Sequence, residues 1–397
     1  MLLVLILAIS LPVGAQGRKV KRGHPSRTQG TTNERQQEQQ RAEYGATSTS
    51  VLALPFKRLW QHLTDSASMI PPTIDRNRIL LPLSGGSVIC LDIRTGSLLW
   101  SSEPGGSITA PILPIDENRA LVVTRKLSPD GSDSGASMRV IDSSTGLTLW
   151  AHDYPRAFTS PAGAGAGRLY AGCADGSLYA IGEKDGEVLW RAETQDVVRG
   201  QPLVTESGVY FGSDDGAMRA VEPATGKIIW KLQTGARVAC PAIADDKYLF
   251  FGSGDGYAYA VNRNTGVVKW RSRTGAAIEA PPVFVGDRLL VASFDNFVYC
   301  LSRATGDRAW KRRLENRISA APIIEGDANL VAPLRGDYIA VFLNADGRRV
   351  NIYQLETDFE IVAAPSFSSE LLVLATNKGL VVAAPVRAPD SSTAQKK

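Results

Sequence analysis

Apolar and polar positions along this chain alternate in short runs broken by Gly, Pro and Asp. Gly208-Val209-Tyr210-Phe211-Gly212 is one such run, and Tyr257-Ala258-Tyr259-Ala260-Val261 alternates large and small side chains. Runs of this length bounded by turn residues predict short β-strands, and no stretch keeps the 3.6-residue period of a helix over a useful length. One order of elements recurs. A Pro 11 or 12 residues past a Trp opens it (Pro71 or Pro72, Pro111, Pro161, Pro202, Pro241, Pro281, Pro322). An apolar strand follows, then a tight turn such as Asp175-Gly176, Asp215-Gly216 or Asp255-Gly256. An alternating strand, a Thr-Gly turn and a last strand bearing a Trp complete the unit.

The tryptophans set the register of these units. They are Trp60, Trp100, Trp150, Trp190, Trp230, Trp270 and Trp310, so five of the six intervals are 40 residues and the sixth is 50. Four residues before each Trp from Trp100 onward stands a glycine: Gly96, Gly146, Gly186, Gly226, Gly266 and Gly306. A period near 40 marks an array in which each unit buries its apolar face only by stacking on its neighbours. Asp-Gly between apolar strands favours a tight hairpin, because Gly accepts positive φ without a Cβ clash. The Gly before each Trp is expected to close a longer hairpin in the left-handed region. Asp92 and Asp142, eight before their tryptophans, can accept backbone N–H bonds inside that turn, with Glu222 and Asn262 in the same slot. The Trp offers a large flat face and one N–H donor, suited to docking one unit on the next.

The ends of the array define the architecture. The first element, around Trp60, is a fourth strand alone, whereas the last unit, from Pro365 through Leu371–Thr376 and Gly379–Ala384, has three strands and no Trp. Together they make one unit. Seven four-strand units lie between them, the seventh carrying Asp346-Gly347 and Tyr353 where Thr-Gly and Trp would stand. The expected fold is all-β: a closed eight-bladed β-propeller over 51–386, its last blade completed by the N-terminal strand. Closure removes exposed sheet edges. The extra ten residues between Trp100 and Trp150 fit a surface loop at Lys126–Ser137, rich in Ser, Asp and Gly. Its Asp130, Ser132 and Asp133 lack the closing Glu spacing of an EF-hand, so no metal is expected there.

The termini read differently. Residues 1–15, MLLVLILAISLPVGA, form an apolar run ending in small residues, which reads as a signal peptide and directs the chain to the periplasm. It is shorter than the roughly 20 apolar residues a spanning helix needs. No Lys or Arg precedes the run, which allows for a start codon further upstream, and no lipidation cysteine follows it. Residues 16–50 are polar and Gln-rich and read as a disordered tether, and 387–397 as a disordered tail. The tether's basic stretch, Arg18, Lys19, Lys21, Arg22 and Arg27, could touch anionic lipid or cell-wall polymer.

Charge narrows the function. The net charge of the 397-residue chain is +4, and the tether, with seven Lys/Arg against three Glu, accounts for all of it. The remainder balances, 37 basic against 37 acidic, which argues against a nucleic-acid partner. Catalytic constellations are missing: no Ser-His-Asp arrangement, phosphate loop or paired catalytic carboxylates can be picked out. His62 and His152 stand two past their tryptophans, without companions at metal-ligand spacing. Cys90, Cys173, Cys240 and Cys300 fall in four different units, out of bridging reach of one another, and are expected to be free, buried thiols. Loops joining one blade to the next share a face with the Asp-Gly turns. They carry Arg156, Arg199, Arg237 and Arg317, with Glu279, Asp358 and Glu360 on other blades. A mouth with a basic arc and an acidic arc suits docking of a mixed-charge protein, with Tyr154 and Phe158 as candidate aromatic anchors.

Ala220-Val221-Glu222 through Thr225-Gly226-Lys227 to Trp230 resembles the tryptophan-docking pattern Ala-x-Asp-x-x-x-Gly-x-x-x-Trp of the pyrroloquinoline-quinone-like propeller superfamily, with Glu222 for Asp. The resemblance covers about residues 52–386 and is nearest to the BamB family of outer-membrane protein assembly factors. It implies a non-enzymatic periplasmic scaffold, monomeric and without cofactor or membrane span, that docks on the periplasmic domains of an outer-membrane β-barrel insertase. The family's docking loop, apolar-x-apolar-Arg-Gly, is matched by Val198, Arg199 and Gly200, while Asp196 replaces an apolar residue. The next loop, acidic in the family, is here Ala236-Arg237-Val238. Quinoprotein dehydrogenases of the superfamily carry adjacent cysteines and calcium-binding carboxylates, and this chain has no adjacent cysteines. A quinone- or other small-molecule-binding propeller and an envelope carbohydrate-binding module stand as alternatives.

Overall fold

Short strands bounded by Gly and Pro turns form antiparallel meanders here, one per sequence repeat. The computed structural model describes Ser50–Pro385, apart from residues 65–67, 129, 132 and 369. The expected signal peptide, the tether up to residue 49 and the tail 387–397 lie outside the described residues. Eight sheets form, each of four strands in the order of a meander, apart from one with an additional short strand. Blade 1 begins at Thr73 and blade 7 ends at Gln354. Blade 8 joins Ser366–Ser368, Leu371–Thr376 and Gly379–Pro385 to Phe56–Leu63, with Trp60 opposite Val382. The fold is the expected all-β eight-bladed propeller, closed by the N-terminal strand. Ser50, expected as the end of the tether, belongs to the folded part. It is buried, and its Oγ donates to the Glu325 carbonyl at 2.6 Å.

Burial follows strand position. Second and third strands are mostly buried, wholly so in Gly208–Gly212 and Ala217–Val221, whereas outermost strands such as Val268–Arg273 alternate exposed and covered positions. No blade has a core of its own. Tyr210, Met218, Ala220 and Trp230 of blade 4 share one cluster with Leu249, Phe251, Tyr259 and Val261 of blade 5. This sharing is why the array must close or be capped.

The Trp-Gly spacing is the mechanism of stacking. Gly226 sits at φ +74°, and its N–H donates to the Glu222 carbonyl at 2.9 Å, closing the turn. The ring of Trp190 lies against it: a Cβ on Gly226 would stand 2.5 Å from Trp190 Cε3. Trp190 Nε1 donates to the Pro223 carbonyl at 3.1 Å. Gly226 is therefore required twice, for its backbone angle and for contact with the preceding blade's indole. The same arrangement joins Trp60 to Ile93, Trp100 to Ser143, Trp150 to Glu183, Trp230 to Arg263, Trp270 to Arg303 and Trp310 to Asn344. Asp92, Asp142 and Asn262 accept backbone N–H groups inside their turns, as their position predicts.

Two expectations are corrected. In blade 7 the tryptophan register is held by Asn351, not Tyr353: Asn351 stands opposite Val341 as Trp310 stands opposite Cys300, four residues past Gly347. The reason lies in the ring closure. The outer strand of blade 8 enters from the N-terminus, so no turn joins it to Gly379–Pro385, and no turn glycine awaits an indole. Asn351 Nδ2 instead donates to the carbonyls of Leu52 (3.2 Å) and Leu54 (2.6 Å), in the 3-10 segment that leads into that strand. The insertion in blade 2 is likewise mostly strand rather than loop. Arg119–Leu127 and Asp133–Asp142 pair as far as Leu127 opposite Asp133, and the preceding interblade segment joins the ladder through Ser107 and Ile108.

Candidate functional site

The face opposite the tryptophan turns is built from two kinds of loop held together by repeated backbone bonds. In the hairpins that open Ser213-Asp214, Ser253-Gly254, Ser293-Phe294 and Pro333-Leu334, the N–H of the second residue, x, donates to the carbonyl seven past the preceding Trp. Asp214 bonds Val197 at 2.9 Å, Gly254 bonds Arg237 at 2.8 Å, Phe294 bonds Ala277 at 3.0 Å and Leu334 bonds Arg317 at 2.7 Å. The hairpin Asp adds a second tie across blades. Asp255 Oδ2 accepts from the Gly235 N–H at 3.0 Å and Asp295 Oδ2 from Gly275 at 2.7 Å. Each interblade loop is thus fixed before any partner arrives, which limits the ordering entropy a docked partner would cost.

This scaffold decides which side chains reach solvent. The residue eight past each Trp points inward: Val198, Val238, Ile278 and Ile318 are all fully buried. Val198 and Gly200, expected in the docking surface, are therefore structural. The Val198 carbonyl accepts from Thr159 Oγ1 at 2.7 Å, and Gly200 lies against the Ala239 backbone. Of that triplet only Arg199 presents its side chain. Its Nε donates to Asp214 Oδ2 at 2.6 Å, while the other carboxylate oxygen of Asp214 is buried without a partner among the described residues. Arg237 pairs with Glu279 on the next loop, and this hydrogen bond and charge raise the guanidinium pKa. Arg317 lies over the Phe294 ring, 5.9 Å from its centroid, and Arg156 is exposed in the loop leaving blade 2.

Basic and acidic groups on this rim are therefore interleaved, Arg199 with Asp214 and Arg237 with Glu279, rather than separated into two arcs. Asp358 likewise has Lys378 3.9 Å away. Tyr154 and Phe158, expected as aromatic anchors, are buried: Tyr154 donates to the Gly186 carbonyl at 2.6 Å and packs edge-on against Phe158. The aromatic that does reach the rim is Phe294, which sequence reasoning passed over. A signal for it existed, because position x of the hairpin reads Ala174, Asp214, Gly254, Phe294 and Leu334 and varies more in chemistry than the turn positions beside it.

Beneath the rim, hairpin aspartates are pinned by their own blades. Asp175, Asp255 and Asp295 accept from Tyr179, Tyr259 and Tyr299. In blade 4 Arg219 replaces the tyrosine. It is buried, bonds Asp215 through both terminal nitrogens and donates to Ser213 Oγ at 2.9 Å. Desolvation would raise the Asp215 pKa, but the bonds from Arg219 and Ser213 outweigh it and hold the carboxyl well below its usual range. All four cysteines are free and buried; desolvation pushes the Cys90 and Cys173 thiols up to about 11 and Cys240 to about 12. Among the described residues no three His, Cys, Asp or Glu side chains converge as metal ligands, and no helix is long and apolar enough to cross a membrane.

Comparison with known proteins places this geometry. No curated protein matches the sequence. The computationally designed protein Ika8 superposes with a TM-score of 0.71 at 18% identity, covering 83% of this chain and 100% of the other. BamB from Moraxella catarrhalis superposes with a TM-score of 0.68 at 18% identity, over 84% of this chain and 98% of the other. At such identity these matches show the shared fold alone. The sequence itself matches one family model, described as outer membrane protein assembly factor BamB, over residues 56–157, 134–277 and 254–388, which together span the propeller. The chain belongs to the BamB family of PQQ-type repeat propellers.

Proposed function

We propose that this protein is a non-enzymatic scaffold of the cell envelope whose interblade rim docks a periplasmic protein engaged in outer-membrane β-barrel assembly. The observation that carries this reading is the rim spanning blades 3 to 7: Arg199 and Arg237 stand about half exposed, and Arg317 is exposed, on loops whose backbones are already fixed. Arginine on a rigid support is well suited to interface anchoring, since its planar fork bonds carboxylates and backbone carbonyls at low entropic cost. Phe294 and Leu334 supply the apolar contacts beside those charges, and Asp214 and Glu279 supply the opposite sign. Family membership supports the same reading, because the matched model is named for outer-membrane protein assembly. The apolar N-terminal run is consistent with delivery to the periplasm.

The test is site-specific photocrosslinking from positions 199, 237 and 317 in the native cell. An outer-membrane insertase or one of its accessory proteins should be recovered from all three. Arg199→Glu sets a second carboxylate beside Asp214, and Arg237→Glu faces Glu279. Either should weaken co-purification at least about tenfold by placing like charges together where opposite ones stood. Recovery of no envelope protein from any of the three positions would sink the proposal.

A further inference from the structure

The outermost strands of the blades differ in charge far more than their shared register requires. Val268–Arg273 of blade 5 and Arg308–Arg313 of blade 6 carry Lys269, Arg271, Arg273, Arg308, Lys311 and Arg313, besides Arg312, and no carboxylate. All six are exposed, and none makes an ion pair among the described residues. Two other outermost strands carry acidic partners: Arg191 meets Glu193 at 2.8 Å in blade 3, and Asp153 of blade 2 pairs with Lys126 of the neighbouring strand, while no other outermost strand carries more than two Lys or Arg. The cations are also held in place. Lys269 lies over Tyr248 at 4.1 Å, Arg271 over Tyr257 at 4.9 Å and Lys311 over Phe297 at 4.4 Å from the ring centroids. Charges fixed over aromatic faces and left without counter-ions form a field aimed at an external anion.

An apolar border adjoins this field. At the start of the outermost strands of blades 4 and 5 stand Ile228 and Ile229, each 48% exposed, with Val267 at 66% and Val268 at 39%. Blade 6 ends the border, with Arg308 and Ala309 at the matching positions. A nucleic acid would satisfy the cations and leave these four side chains in water. A bilayer surface presents both features in one plane, phosphates for Lys and Arg and an acyl boundary for Ile and Val.

We propose that the lateral edge of blades 4 to 6 binds the surface of an anionic lipid bilayer, independently of the rim. The full-length protein is sedimented with vesicles of phosphatidylcholine alone and of phosphatidylcholine mixed with phosphatidylglycerol. Binding to the anionic vesicles should be at least about tenfold tighter, and K269E/R271E/K311E/R313E should remove that preference. Should that variant fold poorly, the milder K269Q/K311Q should still weaken binding several-fold, with an unchanged melting temperature. I229S/V268S should reduce vesicle binding while leaving binding to soluble polyphosphate unaltered, and Arg199→Glu should change neither. Equal affinity for both vesicles overturns the proposal. So does a preference that survives the charge substitutions, which would assign it to the basic stretch at residues 18–27. Apolar substitutions without effect on vesicle binding would assign the edge to a soluble polyanion and equally overturn it.

Discussion

Seven junctions of this ring are made one way and the eighth another. At each of the seven, an indole lies on a turn glycine of the next blade and its N–H reaches a carbonyl of the same turn. At the seam between blades 7 and 8 an amide does the work, binding the carbonyls of Leu52 and Leu54 about 300 residues away in sequence. Phe56 stands where the turn glycine would be, packed edge-on against Tyr353. A cavity of about 340 Å³ lined by Phe56, Tyr353, Leu355 and Phe359 remains beside them. The difference teaches that the tryptophan belongs to the hairpin it meets, not to the strand it sits on. Where chain topology removes the hairpin, the tryptophan goes too.

Trp230→Ala should be the most damaging change to this pattern, since it removes a nearly buried indole between blades 4 and 5 and costs about 3–5 kcal/mol. The midpoint of urea unfolding reports it. Asp215→Asn should come close: it leaves the buried Arg219 guanidinium without its charge partner, at a cost of about 3–5 kcal/mol, although it touches no indole. At the seam, Asn351→Ala should cost only about 1–3 kcal/mol, the loss of one amide leaving two part-buried carbonyls unpaired. Asn351→Trp sharpens the point. If the tryptophan were a property of the strand it would stabilise the ring; with no turn glycine to receive it, thermal melting should show destabilisation.

Alkaline pH should act at the tryptophan junctions rather than at the seam, whose core cluster holds no cysteine. The thiols of Cys90, Cys173 and Cys240 titrate at about 11 to 12 in the folded protein against 9.0 for the free group. A folded pKa above the unfolded one gives stability that is complete below pH 9 and declines as pH rises from there toward 11–12, where the unfolded chain ionises first. Melting temperatures across that range check the sign, and native thiols should resist alkylation at pH 8 that unfolding makes fast. Smallest of all, Arg237→Ala should leave stability within about 0.5 kcal/mol, because its ion pair with Glu279 is solvent-screened, while still weakening partner binding.

The sequence alone determined the strands, the repeat, the blade count and the closure by the N-terminal strand. These rest on local chemistry. Alternation places side chains on two faces, Asp-Gly and Thr-Gly demand particular backbone angles, and the Gly-to-Trp spacing of four is read within one hairpin. Tertiary structure decided the rest. It put Asn351 rather than Tyr353 in the tryptophan slot, buried Val198, Gly200, Tyr154 and Phe158, paired Arg237 with Glu279 and brought Phe294 to the rim. Each depends on how a loop of one blade meets a hairpin of the next, or on where the two ends of the chain join. Residues that far apart in sequence share no local pattern, so only the closed ring sets their distances.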